Sequence, residues 1–257
     1  MAAVVGMAVK RFSVGFAALL LTCPAPAASG QTYPAKPIRF VVPYAPGGAA
    51  DPIARMLGLK LAETMGQPVI IDNRPGAGGN IGANIVAKAV PDGYTIVLVA
   101  ASTVTINQSL NPQLQFDPVN DLAPIGLAAF DSIILASHPS LPVTSVKDVI
   151  ELAIAKPGAI NYASGGTGSG GHLAMELLKV MTATNLVHIP YKGAGDAIPS
   201  LLAGRVSLMF TSSGTLLPHI KAGRLKALAA ATKHRLPGLP NLPTVDESGV
   251  PGYEVTG

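Results

Sequence analysis

The stretch Ile38-Arg39-Phe40-Val41-Val42-Pro43-Tyr44-Ala45-Pro46-Gly47-Gly48-Ala49-Ala50-Asp51-Pro52 is a strand, a glycine loop and a helix start in succession, and the fold class rests on it. Ile38–Pro43 is a short apolar run of the kind buried on both faces of a parallel sheet. Asp51-Pro52 then opens a helix, with Asp51 expected as its N-cap and proline at the first helical position. Ile53, Leu57, Leu61 and Met65 recur every four residues as an expected buried face, and Gly66 lies just past the end. Val69–Asp72 is the next strand. Strand, glycine loop, helix and strand are the repeating unit of a doubly wound parallel α/β sheet.

The same pattern continues outward. Asn80–Val90 reads as a helix with Ile81 and Ile85 on one face, and Tyr94–Ala100 as a third strand. A second series begins with strand Ile133–Ala136 and the capping box Ser145-Val146-Lys147-Asp148, which opens a helix ending at Pro157-Gly158. It goes on with strand Ile160–Ala163, helix His172–Thr182 (Leu173, Leu177 and Val180/Met181 inward), strand Leu186–Pro190, helix Ala197–Leu202, and strands Val206–Phe210 and Leu225–Ala230. Two series without a fixed-period repeat imply two α/β lobes. The chain is expected to cross between them near Pro118–Phe130 and to return near Phe210–Leu225.

Composition excludes several classes. With 257 residues, 49% of them hydrophobic, the chain is long enough for two packed cores and too apolar to be disordered. Lys and Arg exceed Asp and Glu by only four, and no local basic cluster exists to track a phosphate backbone, which argues against nucleic acid. At the N-terminus, Lys10 and Arg11 precede the apolar run Phe12–Leu21 and a small-x-small site at Ala25 and Ala27. This is the pattern of a secretory signal peptide over residues 1–27. The ten-residue run is too short to cross the ~30 Å bilayer core, which takes about 20 residues. Cys23, the only cysteine, lies inside that segment; Thr22 before it argues against a lipid anchor. Its removal would leave no thiol for disulfides, zinc thiolates or a cysteine nucleophile.

Three glycine-rich loops fall at the carboxyl ends of the expected strands, where open α/β sheets bind ligands: Tyr44–Asp51, Arg74–Asn80 and Ser164–Gly171. Backbone N–H groups without side chains in the way can converge on an anion, aided by the following helix dipole. Carboxylate and phosphate are both compatible with that chemistry. Gly166-Thr167-Gly168-Ser169-Gly170-Gly171 fits the dinucleotide pattern GxGxxG, but the next strand ends His188-Ile189-Pro190-Tyr191-Lys192 without the acidic residue that would hold a ribose. No cofactor is therefore expected. Catalytic motifs are missing, and the five histidines lack metal-ligand spacing. Ser169 and His172 alone leave a secreted, hydrolase-like α/β enzyme as an alternative.

Pro43–Asp51 with Ala54-Arg55 resembles the PFxPGGxxDxxAR signature of the Bug family, the extracytoplasmic solute receptors of tripartite tricarboxylate transporters. Asn73–Gly82, Asp92-Gly93-Tyr94-Thr95, Pro190-Tyr191-Lys192-Gly193, Pro218–Gly223 and Pro243–Glu247 match further family blocks in order. The resemblance implies a two-lobed periplasmic-binding-protein fold of type II character. It would act in the periplasm, as a monomer without enzymatic activity, closing on a small carboxylate and delivering it to integral-membrane transporter subunits. The carboxylate would be a di- or tricarboxylate, an acidic amino acid or an aromatic acid; a ligand-binding sensor is the other non-enzymatic role. Carried over, the ligand residues are Tyr44, Pro46, Gly47, Gly48, Ala49 and Asp51, with Ser102 after the third strand. The second lobe adds Gly166, Thr167, Gly168, Ser169 and Gly170, together with Asp196, where the family often has proline, and Thr211. The first lobe is expected over 36–122, the second over 123–224, and 225–257 as a return to the first. By comparison with the family pattern, which continues into a tryptophan-containing strand, the first lobe is expected to lack its closing C-terminal part.

Overall fold

A strand apolar but for Arg39, which pairs with Asp72, needs partners on both edges, and Ile38–Val42 (β1) receives them. In the computed structural model, which describes residues 32–256, β1 lies between Val69–Asn73 (β2) and Thr95–Val97 (β3), all parallel, in the order β2-β1-β3. The expected leader 1–27 and Cys23 lie outside the described residues. Ala50–Met65 (α1) and Asn80–Ala87 (α2) connect these strands, the second after a 3-10 turn at Ala77–Gly79. Gly66 stops α1 as expected: at φ 68° it adopts the left-handed conformation and its N–H returns to Ala62 O. Two short helices, Ala101–Thr105 (α3) and Asn107–Leu110 (α4), follow β3.

The second sheet has five strands in the order β6-β5-β7-β4-β8. Its elements are Ile133–Ser137 (β4), Val146–Ala155 (α5), Asn161–Ser164 (β5), Gly170–Thr182 (α6), Val187–Pro190 (β6), Ala194–Leu202 (α7), Leu208–Ser212 (β7), Ser213–Lys221 (α8) and Lys226–Ala230 (β8). β5 is parallel to β6 and β7, whereas β4 runs antiparallel to both β7 and β8. The sheet is thus mixed rather than purely parallel. β4 begins beside the carboxyl end of β7, with Ile133 opposite Ser212, because the chain enters from the other lobe at that edge and runs away from it.

Alternation along β4 separates two cores. Ile133 and Leu135 face α5 and α6 together with Val146, Tyr162, Met175 and Phe210. Ile134 and Ala136 face the other way with Ile198, Leu201, Met209 and Leu216. The first lobe's core is smaller, built on Phe40, Val42 and Ala54 with half-buried Leu57, Ile71 and Ile96 against them. Helix faces depart from the expected ones. In α1 Asp51, Ala54 and Gly58 are fully buried, and the expected stripe Ile53/Leu57/Leu61/Met65 is half-buried beside them, with Leu57 against the core. In α2 Gly82 and Ala83 are inward while Ile81 is half exposed. In α6 they are Ala174, Met175 and Leu178, and Val180 is 77% exposed. Each sequence carries two stripes that satisfy a 3.6-residue period. Close backbone approach selects between them: Gly171 is pressed against the Phe210 carbonyl, which leaves no room for a side chain.

The C-terminal stretch is a correction. The family pattern returns residues 225–257 to the first lobe, yet β8 pairs with β4 in the second sheet, so Phe210–Leu225 contains α8 and no crossing. Thr244 bridges to Ala230, and Val255 N–H donates to Ala231 O at 2.8 Å. Tyr253 is buried, its ring stacked on Phe210 and its O–H donating to Ala174 O at 2.7 Å; burial pushes its own ionisation up. A strand of small residues such as Lys-Ala-Leu-Ala-Ala fits either sheet, and only long-range packing chooses. Tyr253→Ala is expected to cost the second lobe about 3–5 kcal/mol, as for other buried aromatics, measurable by urea denaturation. A change below about 1 kcal/mol would show that the stretch is not held there.

Candidate functional site

Three loops of the first lobe are tied into one wall by a relay of hydroxyls. Ala100 N–H donates to Tyr44 Oη at 3.0 Å, Tyr44 and Thr103 hydroxyls meet at 3.1 Å, and Thr103 donates to Gly78 O at 3.1 Å. Since Thr103 spends its proton on Gly78, Tyr44 is the donor between them. Burial raises the Tyr44 ionisation, against the lowering effect of its bonds with Thr103 and Ala100. The loops after β1, β2 and β3 therefore share one network.

Asp51 belongs to the same scaffold. It does not cap α1, which starts at Ala50 without a side-chain cap. Its carboxylate receives Arg55 Nε at 3.1 Å and Asn73 Nδ2 at 3.2 Å, and Asn73 also donates to Tyr44 O. Burial would raise its pKa; the bonds from Arg55, Asn73 and the Gly47 N–H outweigh that and hold it below the ordinary value. Asp51 is occupied in bracing the glycine loop.

The second-lobe loop between β5 and α6 consumes several of its own amides. Gly166 N–H donates to Ser164 Oγ at 3.1 Å, Gly168 N–H to His172 Nδ1 at 3.2 Å, and Ser169 N–H to Gly166 O at 3.1 Å. Ser169 caps α6, its Oγ accepting His172 N–H at 3.4 Å. So Ser169 and His172 are joined through main chain, not as a nucleophile and its base. Gly170 and Gly171, in the first turn, have no intrahelical acceptor for their N–H groups.

The two walls meet glycine against backbone. A Cβ at Gly193 would stand 2.6 Å from Ala45 N, and one at Gly166 would stand 3.1 Å from Gly78 N. Side chains at Gly195, Gly78 and Gly168 would overlap Pro46 O, Thr167 O and Asn107 Oδ1 respectively. These glycines let the lobes touch; only some also need a positive φ. On this seam the Oδ1 of Asn107, 2% exposed, has no partner, while its Nδ2 donates to Asn80; Ser102, 8% exposed and next in the chain to Thr103, also has a hydroxyl without one. To one side opens a groove of about 620 Å³, mostly apolar, where Gly47, Gly48 and Ala49 face Gly195, Ser212 and Thr215.

Of the expected residues, the structure places Tyr44, Pro46, Gly47, Gly48, Ala49, Gly166, Thr167, Gly168 and Ser169 around this seam and groove, whereas Gly170 packs on Ile133 of its own lobe. Asp196 is exposed on the first turn of α7, and Thr211 is half-buried in β7, where its neighbour Ser212 lines the groove. The sequence marked the Arg74–Asn80 loop that holds Gly78 and the stretch after the third strand that holds Thr103, but not Asn107, Gly193 or Gly195 as seam residues. Their partners are far away in the chain, and no local pattern marks them. Among the described residues no group of three His, Cys, Asp or Glu side chains is placed to hold a metal ion, and no helix is long and apolar enough to cross a membrane.

Two α/β lobes that meet through loops at the carboxyl ends of their strands define a solute-binding protein. Residues 53–257 match the tripartite tricarboxylate transporter family receptor, TctC, and the chain belongs to that family. It is 37% identical to the protein BugT of Bordetella pertussis over 226 residues, 88% of this chain and 69% of that one. Two solved structures from Rhodopseudomonas palustris are similar. Rpa4515 with adipate is 38% identical at TM-score 0.84, and MatC with bound malate is 31% identical at TM-score 0.83; each comparison covers 87% of this chain and, in turn, 75% and 76% of the other. The family is one of receptors, not enzymes, and this chain is a solute-binding receptor.

Gly195→Ala is expected to hold the lobes apart, because a methyl group there overlaps the Pro46 carbonyl, which is backbone and cannot step aside. Small-angle scattering should show a larger radius of gyration, and affinity for any solute that closes the lobes should fall by at least about ten-fold, or 1.4 kcal/mol. Gly66→Ala is the control: at the end of α1 its Cβ meets nothing, so it strains a positive φ without blocking closure.

Proposed function

We propose that this receptor captures a small carboxylate in the periplasm, between its lobes, and passes it to the membrane subunits of a tripartite transporter. The observation that carries the reading is the seam itself, where glycine-lined walls converge; next in the chain to the seam residue Thr103, Ser102 has a buried hydroxyl with no protein partner. Buried polar groups without partners in a binding cleft suit a ligand's oxygens. The open amides of Gly170 and Gly171 at the positive end of α6 favour an anion. Solved relatives of the same fold hold adipate and malate. In this reading Gly47, Gly48, Ser102, Gly170 and Gly171 contact the solute. Tyr44, Asp51, Ser169 and Thr103 shape the walls, and Asp196 at the rim selects against a second carboxylate nearby.

Thermal unfolding tests it, with malate, adipate, citrate, aspartate, glutamate and nicotinate as probes and NAD as the contrasting ligand. A carboxylate at about 100 times its Kd adds ~2.7 kcal/mol, a shift of a few degrees for a chain of this size. Ser102→Ala should weaken that carboxylate several-fold while leaving the unliganded midpoint within about a degree. No shift with any carboxylate, or a shift with NAD alone, would overturn the reading.

A further inference from the structure

Under the β5–α6 loop lies a cluster of ionisable side chains. His172 of α6 and His188 of β6 have ring centroids 4.2 Å apart, and His188 stacks at 4.9 Å on Tyr162 of β5. Tyr162 donates to Glu176, which also receives Lys179 Nζ at 2.7 Å. Of these groups, His172 holds the loop through a bond that depends on its protonation. Its Nδ1 accepts the Gly168 N–H, which requires that nitrogen to be free of a proton. The ring proton then belongs on Nε2, 4.0 Å from Glu176. His188 differs: its Nε2 meets Ser164 Oγ at 2.6 Å, and that hydroxyl can turn to Gly166 O, 3.2 Å away, so this contact survives in either state.

Gly168 is where the second lobe touches Asn107 of the first, and the adjoining Thr167 carbonyl is what Gly78 packs on. We propose that His172 is a positioning residue for lobe closure: neutral, it anchors Gly168 in the seam, and protonated at Nδ1 it releases the loop, so that the receptor opens and lets go of its solute as the solution acidifies. The inference rests on the reading that the solute is held in this seam.

The surroundings set the direction. His172 faces Glu176 and Lys179 on its own helix and His188 from β6, with Tyr162 of β5 behind. Burial disfavours the charged ring; Glu176 opposes this and Lys179 adds to it, so His172 titrates below its ordinary 6.5. Burial, then the neighbouring His172, bring His188 down to about 4. For a histidine with a depressed folded value, the stabilisation is complete above about pH 6.5, the unfolded value, and is lost as pH falls through the folded one. The Gly168–His172 bond is therefore in place at neutral pH and is lost on the acid side.

The test follows the ligand-free protein first. Nitrogen-15 NMR should show the Gly168 amide moving with the His172 ring titration, and scattering should show the radius of gyration rising over the same pH range. His172→Asn keeps an acceptor where Nδ1 stood and does not titrate, so its radius should stay constant through that range. His172→Phe removes the acceptor and should be expanded at every pH. Malate and adipate titrations should show affinity falling about ten-fold in the wild type across the His172 transition, the factor one hydrogen bond carries. In His172→Asn only the ligand's own titration should remain. A Gly168 amide indifferent to His172, or an acid expansion that persists in His172→Asn, would overturn the proposal. Failure of every carboxylate to bind at neutral pH would instead overturn the solute reading, and the scattering of the free protein would then decide closure by itself.

Discussion

The structure depends on backbone meeting backbone between the lobes. At Gly78, Gly166, Gly193 and Gly195 the opposing backbone stands where a Cβ would go, and at Gly168 the Asn107 side chain does. A contact of this kind is short, polar and shape-specific, and it brings loop carbonyls and amides within reach of anything trapped between them.

Everything behind the seam holds those glycines in place. On the first-lobe side the Tyr44–Thr103–Gly78 hydroxyl relay and the Asp51–Asn73–Arg55 cluster fix three loops whose strands contribute only a small core. On the second-lobe side the loop holds itself through Ser164, Ser169 and His172, above a five-stranded sheet with apolar packing on both faces. The glycine loops thus serve two purposes that compete for the same amides. Those of Gly166, Gly168 and Ser169 are committed to the loop's own shape, while Gly170 and Gly171, in the first turn of α6, have no intrahelical acceptor for theirs.

This division changes the meaning of the family signature in the chain. PYAPGGAAD combines residues of three kinds: Tyr44 and Asp51 brace, Pro46 and Gly48 meet the opposite lobe, and Gly47 turns the chain at φ 82°. A solute receptor needs all three. The loop must be stiff enough to hold donors in place, slim enough to approach the other lobe, and curved enough to reach the edge of the sheet.

The sequence by itself determined the elements. Apolar runs, the Ser145 capping box and the stop at Gly66 are local matters of burial, side-chain hydrogen bonds and allowed φ, and they appear where those rules put them. The resemblance carried by Pro43–Asp51 and the later blocks determined the family and the two-lobed architecture. Tertiary structure decided what no local rule distinguishes: which of two equivalent stripes on α6 turns inward, that β4 runs antiparallel, and that β8 and Tyr253 join the second lobe. It also decided that Gly193 and Gly195 belong to the seam while Asp196 beside them is exposed. A glycine is written identically whether it turns a loop or yields to a neighbour's carbonyl. Only the neighbour, brought from more than a hundred residues away, makes the difference.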